Sequence, residues 1–415
     1  MSIHWGGRGA GHVSRWSLAP TGAPALELNF LSGALDPRIT FTRSTTATFF
    51  GSNGLIQSSA IDAPRFDYNP TTLEARGLLI EEQRVNLLLR SEEFEDATWN
   101  KSGTTITANS IASPDGTVDA DKATANAALS LHIITQARSV TAATVYTVSF
   151  FVKAAGYTKV GIREGNLTGA YATFNLATGT KIDQGVGGVG SITLIRDGWY
   201  RIDMVATSGG ASFRADISIL DPAYTSGPPT GTWTGDGTSG IYVWGSQLEA
   251  GAFASSYIPT VASTVTRAAD LSSMTGTNFS NWYTSAQGTF VVSADVRSIA
   301  SGDKYVVTVS DGNGRVVYVS GSSINTFDGT TVTSSAQSAV ANTPFKAATA
   351  WSGSTLSISA KGAAAVGGAF DGAFGAGTSL RIGSNAGSTS INGHIQAISF
   401  YNTRLLNTQL QVLTA

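Results

Sequence analysis

Three ionisable residues inside an apolar run are the first places where this chain could do chemistry. Gly77-Leu78-Leu79-Ile80-Glu81-Glu82-Gln83-Arg84-Val85-Asn86-Leu87-Leu88-Leu89 carries Glu81, Glu82 and Arg84 at its centre, and Asp67 precedes it in Arg65-Phe66-Asp67-Tyr68. An unpaired buried ion is costly, so charges placed here need partners. Two readings follow. Asp67, Glu81 and Arg84 form a ligand or metal site, or they form a structural charge network in which Arg84 bridges a carboxylate. Saccharide recognition is the second chemistry on offer, since aromatic rings stack on pyranose faces while amides and acids fix the hydroxyls. Trp199, Tyr200, Tyr242 and Trp244 lie in strand patterns that usually fill a core. Trp233, Tyr171 and Tyr224, in loops or near strand ends, are the candidate ligand-binding residues.

Bond-breaking chemistry is harder to assemble. Glycoside hydrolysis needs two carboxylates across a cleft, about 5 Å or about 6.5–9.5 Å apart. After residue 271 the acids are Asp295, Asp303, Asp311, Asp328 and Asp371, with no Glu. Glu92, Glu93 and Glu95 follow Ser91 and fit the acidic first turn of a short helix. There is no Gly-x-Ser-x-Gly elbow and no convincing phosphate loop. His4, His12, His132 and His394 are scattered without the spacing of a zinc pair, which favours structural or surface roles. Cysteine is absent, so no disulfide, thiol nucleophile or Cys-ligated metal is possible. A net charge of -2 and no run of Lys or Arg argue against nucleic-acid binding. No catalytic, cofactor or metal residue is assigned. No stretch approaches a membrane span, and Met1 to Trp16 lacks the apolar core of a secretory signal.

The elements that must position these residues read as all-β. Charged residues are only 13%, Gly numbers 47, and helix formers are sparse beside Ser and Thr. A chain of 415 residues is too long for one core. The expected architecture is two antiparallel β-sandwich (jelly-roll) domains preceded by an N-terminal anchoring segment. Residues 1–35 form that segment, docking on another subunit or fraying, with Ala25 to Phe30 alternating as a first strand. Residues 36–95 form a small β module packed on the first sandwich, with Gly51-Ser52-Asn53-Gly54 as a hairpin turn. Residues 96–262 form a jelly roll, 263–285 a linker, and 286–415 a second sandwich with a hairpin loop at Asp311-Gly312-Asn313-Gly314. In Tyr146-Thr147-Val148-Ser149-Phe150-Phe151-Val152 the Tyr, Val, Phe and Val share one face. The run from Gly77 is read as a buried strand plus a turn, a short amphipathic helix being the alternative.

Several segments in order resemble a family of tailed-phage and prophage structural proteins. They are Pro64 to Tyr68, Arg76 to Leu88, Ser91 to Trp99, Pro114-Asp115-Gly116-Thr117, Ala120-Asp121-Lys122, Trp244 to Gly251, Ser256-Tyr257-Ile258-Pro259-Thr260 and Thr266 to Asp270. Val85 departs from the pattern, where Thr is more usual. The 96–262 strand order resembles carbohydrate-binding modules, and 286–413 resembles the laminin-G and concanavalin-A-like fold. That last domain lacks the Glu-x-Asp-x-x-Glu of concanavalin-A-like glycosidases. The resemblance implies a virion component with carbohydrate-binding-like β-sandwiches, and neither a position on the particle nor a ligand. The function expected is a non-enzymatic fibre, spike or decoration on head, neck or tail that adheres to host-surface polysaccharide or stabilises the particle, made in the host cytoplasm, touching other virion proteins through the N-terminal segment and forming a homo-oligomer with a trimer favoured. No cofactor is implied beyond a structural calcium near Asp115 and Asp121. The alternatives are a phage depolymerase and a purely structural collar or capsid part.

Overall fold

The computed structural model describes residues 22–300, 302–309, 314–371, 374, 377–385 and 389–415. His4, His12, most of the expected anchoring segment and the Asp311–Asn313 loop lie outside them. Four large sheets make two sandwiches, and every ladder between strands is antiparallel.

The first sandwich pairs two six-stranded sheets. One runs Gly188–Arg196, Trp199–Thr207, Val145–Ala155, Gly240–Ala250, Val118–Ala125, Thr104–Ala112. The other runs Thr180–Gln184, Tyr171–Asn175, Lys159–Glu164, Ser212–Ile219, His132–Ser139, Asn100–Ser102. Tyr146, Val148, Phe150 and Val152 point into the core between them, beside Phe94, Trp99, Phe174 and Phe213. Phe151 faces the opposite way, into a separate cluster with Trp199, Trp244 and Tyr257. Thr147 and Ser149, on that opposite face, are buried too, so this strand is covered on both faces although its sequence alternates.

The second sandwich recruits strands from far upstream. Its eight-stranded sheet runs Val366–Ala369, Thr355–Ala360, Phe345–Ser352, Gln287–Ala294, Gly393–Tyr401, Ala75–Ile80, Phe66–Tyr68, with Leu26–Asn29 also paired to Gly393–Tyr401. Its seven-stranded sheet runs Thr40–Thr42, Leu271–Thr275, Ser379–Ile382, Asp303–Val309, Gly314–Ser320, Ser323–Phe327, Val332–Ser338. Leu26, Leu28, Phe30, Phe41, Leu78 and Ile80 share one core with Phe290, Trp351 and Phe400. Each such buried side chain contributes about 1.5–3 kcal/mol.

Leu26–Asn29, expected as a first strand, is one, and it pairs with Gly393–Tyr401 of its own chain. Two expectations are corrected by the ladders. The 36–95 module gives its strands Thr40–Thr42, Phe66–Tyr68 and Ala75–Ile80 to the second sandwich, while its hairpin Ala47–Phe50 and Ile56–Ser59 packs on the first as expected, with Phe50 and Ile56 against Phe151, Trp199 and Trp244. The expected linker at 263–285 contains Leu271–Thr275, an interior strand, and Val265–Arg267, which pairs with Arg84–Asn86. Unpaired backbone amides in an apolar segment must find a ladder, and the open edges of the second sandwich supply it. A third correction falls on Ser91 to Trp99, which forms successive turns instead of a helix. Glu93, Asp96 and Trp99 each donate an amide three residues back, while Asp121 takes the Phe94 amide at 2.8 Å.

The opening apolar run is strand Ala75–Ile80, a charged crossing at 81–83, then strand Arg84–Asn86. Gly77 is required there: its φ is +101°, and a Cβ would stand 2.3 Å from the Ile395 carbonyl oxygen.

Candidate functional site

Where the two sandwiches meet, the crossing segment builds a charged core. Glu81, Asp270, Arg43, Arg65 and Arg267 are each at most 1% exposed. Glu81 Oε2 accepts from Arg65 at 2.8 Å, Arg267 at 2.7 Å and the Ser256 hydroxyl at 2.6 Å, and Oε1 accepts the Ser256 amide at 2.9 Å. Asp270 accepts from Arg43 at 3.0 Å, from Arg65, and from the Glu81 amide at 2.9 Å. Burial pushes the Glu81 carboxyl up, but Arg267, Arg65 and Arg297 outweigh it and hold the group well below the usual range. Arg84 meets Glu82 at 2.6 Å and lies over the Phe253 ring.

A second buried set is centred on His394, which is fully buried. Its Nε2 meets Asp67 at 2.8 Å and its Nδ1 meets Asp295 at 3.0 Å. Asp67 also accepts the Phe50 amide at 2.7 Å. Burial disfavours charge on all three, yet mutual attraction lowers both carboxyls and raises the imidazole. Asp67, Glu81 and Arg84 thus serve structural charge contacts, each with its own partner: His394 for Asp67, Arg65 and Arg267 for Glu81, and Glu82 for Arg84.

Above this junction a cleft of about 300 Å³ opens between the sandwiches. Phe50, Phe253, Ala254, Asp67, Arg76, Arg297 and Asn342 line it from one side, and Ser191, Thr193, Ile195, Arg201 and Asp203 from the outer face of the first sandwich. Ser191 stands opposite Asp203, and Thr193 opposite Arg201, so all four project from neighbouring strand positions. Arg201 donates to the Ser255 carbonyl at 2.6 Å and the Ser149 hydroxyl at 3.0 Å, both uncharged. Its Nε is buried without a partner. Burial lowers the Arg201 pKa and raises that of Asp203, which accepts from the Ser191 hydroxyl. Arg297 is held only loosely. Its side chain is 18% exposed, makes one long hydrogen bond to the Ala254 carbonyl (3.4 Å), and reaches Glu81 only at 4.0 Å.

The sequence-predicted ligand residues lie elsewhere. Trp233 and Tyr224 share a cavity of about 290 Å³ with Asp221, Thr225 and Pro229. Trp233 is only 8% exposed, with ring edges of His132 and Tyr157 packed on it and its Nε1 donating to the Ile219 carbonyl. Tyr171 is buried and donates to Asp183 at 3.2 Å, while the Tyr224 hydroxyl is tied to the Gly227 carbonyl. The structure therefore gathers these three around one region, but Trp233 and Tyr171 offer no open ring face. Trp199 and Trp244 are core residues. Asp115 spends its Oδ1 on Ser113 and Thr117, and Asp121 accepts the Phe94 and Asn109 amides. Among the described residues no group of three or more His, Asp or Glu is placed to hold a metal ion. Likewise, no helix among them is long and apolar enough to cross a membrane.

Sequence reasoning missed Arg201, Asp203, Arg297 and Phe253. A signal existed for the first two: in Trp199-Tyr200-Arg201-Ile202-Asp203-Met204, Arg and Asp alternate with apolar residues and mark an outward polar face. Arg297 carries no such mark.

No family model and no curated protein matches this chain. Solved structures give distant likenesses. The CBM40 of Ruminococcus gnavus IT-sialidase, bound to alpha2,3 sialyllactose, is 14% identical over 31% of this chain and 83% of that one, at TM-score 0.26. Trypanosoma rangeli sialidase is 11% identical over 76% of this chain, at TM-score 0.29, and this chain spans only 61% of its length. Domains LG4-5 of the mouse laminin alpha1 chain are 8% identical over 76% and 91% of the two chains, at TM-score 0.23. At such scores these likenesses assign neither ligand nor activity. The all-β architecture stands on its own ladders.

Proposed function

We propose that this chain is a non-enzymatic glycan-binding component of a tailed-phage particle, holding saccharide in the cleft between its sandwiches. The observation that carries the reading is the composition of that cleft. Two half-buried rings, Phe50 and Phe253, stand beside the exposed Ser191, Thr193 and Asn342. This combination of apolar surface and a few convergent polar groups is what sugar recognition uses, and about 300 Å³ lies at the lower end of ligand-site volumes. The virion assignment rests on the sequence resemblance, as do the contacts with other particle proteins and the trimer.

A glycan array probed with the full chain tests the binding. Wild type is expected to retain host-surface polysaccharide, and Phe253→Ala to lose about tenfold or more in affinity. Failure to bind any host polysaccharide would favour a purely structural collar or capsid part. Antibody labelling of purified particles tests the location, and light scattering the trimer.

One observation favours the depolymerase alternative. Asp67 and Asp203 both line the cleft, and their surroundings push the two carboxyls in opposite directions, as an acid–base pair requires. Against it, Asp67 is already engaged by the Phe50 amide and His394. Release of reducing ends from a bound polysaccharide, abolished by Asp203→Asn, would establish that alternative.

A further inference from the structure

Arg297 is a cation with spare donors facing an open cavity. A guanidinium offers five N–H donors in a planar fork suited to carboxylate. Those of Arg297 reach one carbonyl at 3.4 Å and one carboxylate at 4.0 Å, and the latter belongs to Glu81, already held by two other arginines. Across the cleft, Arg201 spends its hydrogen bonds on uncharged acceptors and leaves Nε buried and unpaired. The two acids of the wall act on this charge through space and make no direct ion pair with Arg297 or Arg201. Asp67 serves His394, and Asp203 accepts from Ser191. Arg76 adds a third positive group, 3.6 Å from Asp295.

We infer that the saccharide taken by this cleft is anionic, its carboxylate received by Arg297 and Arg201 while its ring lies toward Phe253. The inference rests on the proposed glycan-binding function and specifies its substrate class. A carboxylate between two arginines makes charge-assisted bonds in a place partly shielded from water, where they are stronger than at a free surface. A sulfate ester presents the same charge with a tetrahedral head, so the planar fork separates the two sources.

The test uses the full chain and titration calorimetry with three probes: an oligoglucuronate, its carboxyl-reduced neutral counterpart, and a sulfated neutral oligosaccharide. Wild type is expected to bind the oligoglucuronate about tenfold or more tightly than the neutral counterpart, with the sulfated probe between them. Arg297→Gln should remove that preference. Because Arg297 also touches the junction, Asn342→Asp provides a second variant. Asn342 is exposed on the cleft wall at φ +57°, a conformation Asp tolerates. Its added negative charge should weaken the oligoglucuronate about threefold to tenfold more than it weakens the neutral probe. Equal wild-type affinity for charged and neutral probes overturns this inference and leaves glycan binding standing. Oligoglucuronate binding indifferent to both variants also overturns it, by placing the anion elsewhere. Binding of no probe removes the inference together with the proposed function.

Discussion

Glu81 is surrounded by more positive charge than it can neutralise, so changing it reveals what the junction costs when incomplete. Glu81→Gln keeps the shape but leaves Arg65 and Arg267 short of a counter-ion in a site closed to water. Breaking one partner of a buried ion set costs about 3–5 kcal/mol. Urea denaturation at pH 7 should show a loss of that order, and a loss below about 1 kcal/mol would mean the network is dispensable. A second prediction concerns pH. Burial raises the Glu92 carboxyl from its ordinary 4.5 to about 7, and raises Asp121 to about 7 as well. Between the unfolded and folded values the native state binds more protons, so stability falls as pH rises through that window. His394, with a raised pKa, also loses its contribution as pH rises. Asp67, Asp295 and Glu81, all lowered, lose theirs as pH falls below the ordinary carboxylate range. Melting temperature should therefore peak in mild acid and decline toward pH 8, and Glu92→Gln should flatten the decline; an unchanged slope would refute the assignment. At this scale the sequence shows that Asp67, Glu81 and Arg84 need partners, because they sit in or beside apolar runs. It does not show which partners, since Asp270 and Arg267 arrive from about 190 residues away.

Strand Ala75–Ile80 shows what is legible at the scale of an element and where legibility ends. Its apolar density marks it as buried, and the charges that follow mark a crossing. Nothing local says which sandwich receives it. That choice is made by the edge of Gly393–Tyr401, which pairs Leu78 with Ile395 and Ile80 with Gly393. The strand can approach so closely only because residue 77 has no side chain. Gly77→Ala would place a Cβ against the Ile395 carbonyl and force an L-residue into a positive φ. The expected cost is about 2 kcal/mol or more, read as a lowered urea midpoint with an unchanged slope. A neutral substitution would show that the ladder has slack at this point. The 91–99 segment was less legible for a related reason. Its acids imitate a helix start, but Asp121 draws the Phe94 amide aside and Trp99 turns inward to stack near Phe94.

At the scale of the whole molecule, the upstream strands make the second sandwich a composite of both ends of the described chain. Residues 286–415 alone lack Leu26–Asn29, Thr40–Thr42, Phe66–Tyr68, Ala75–Ile80 and Leu271–Thr275, and with them Leu26, Leu28, Phe41, Leu78, Ile80 and Met274 of the core. Two domains drawn from consecutive stretches of sequence would melt separately; a chain that leaves the second sandwich, builds the first, and returns through a shared ionic junction should not. Calorimetry of the full chain at pH 7 is expected to give one transition, with calorimetric and van't Hoff enthalpies in agreement. Truncation to 96–415 should abolish cooperative unfolding of the second sandwich, because Leu26, Leu28, Phe30, Phe41, Leu78 and Ile80 would be missing from its core. Supplying 22–95 as a separate polypeptide should restore it through the ladder to Gly393–Tyr401. Two well-separated transitions in the intact chain, or a folded 286–415 fragment, would show that each sandwich is self-sufficient. The cleft would then be an adjustable gap rather than a fixed pocket, since its two walls belong to different sandwiches and only the junction beneath holds Arg201 and Arg297 in register.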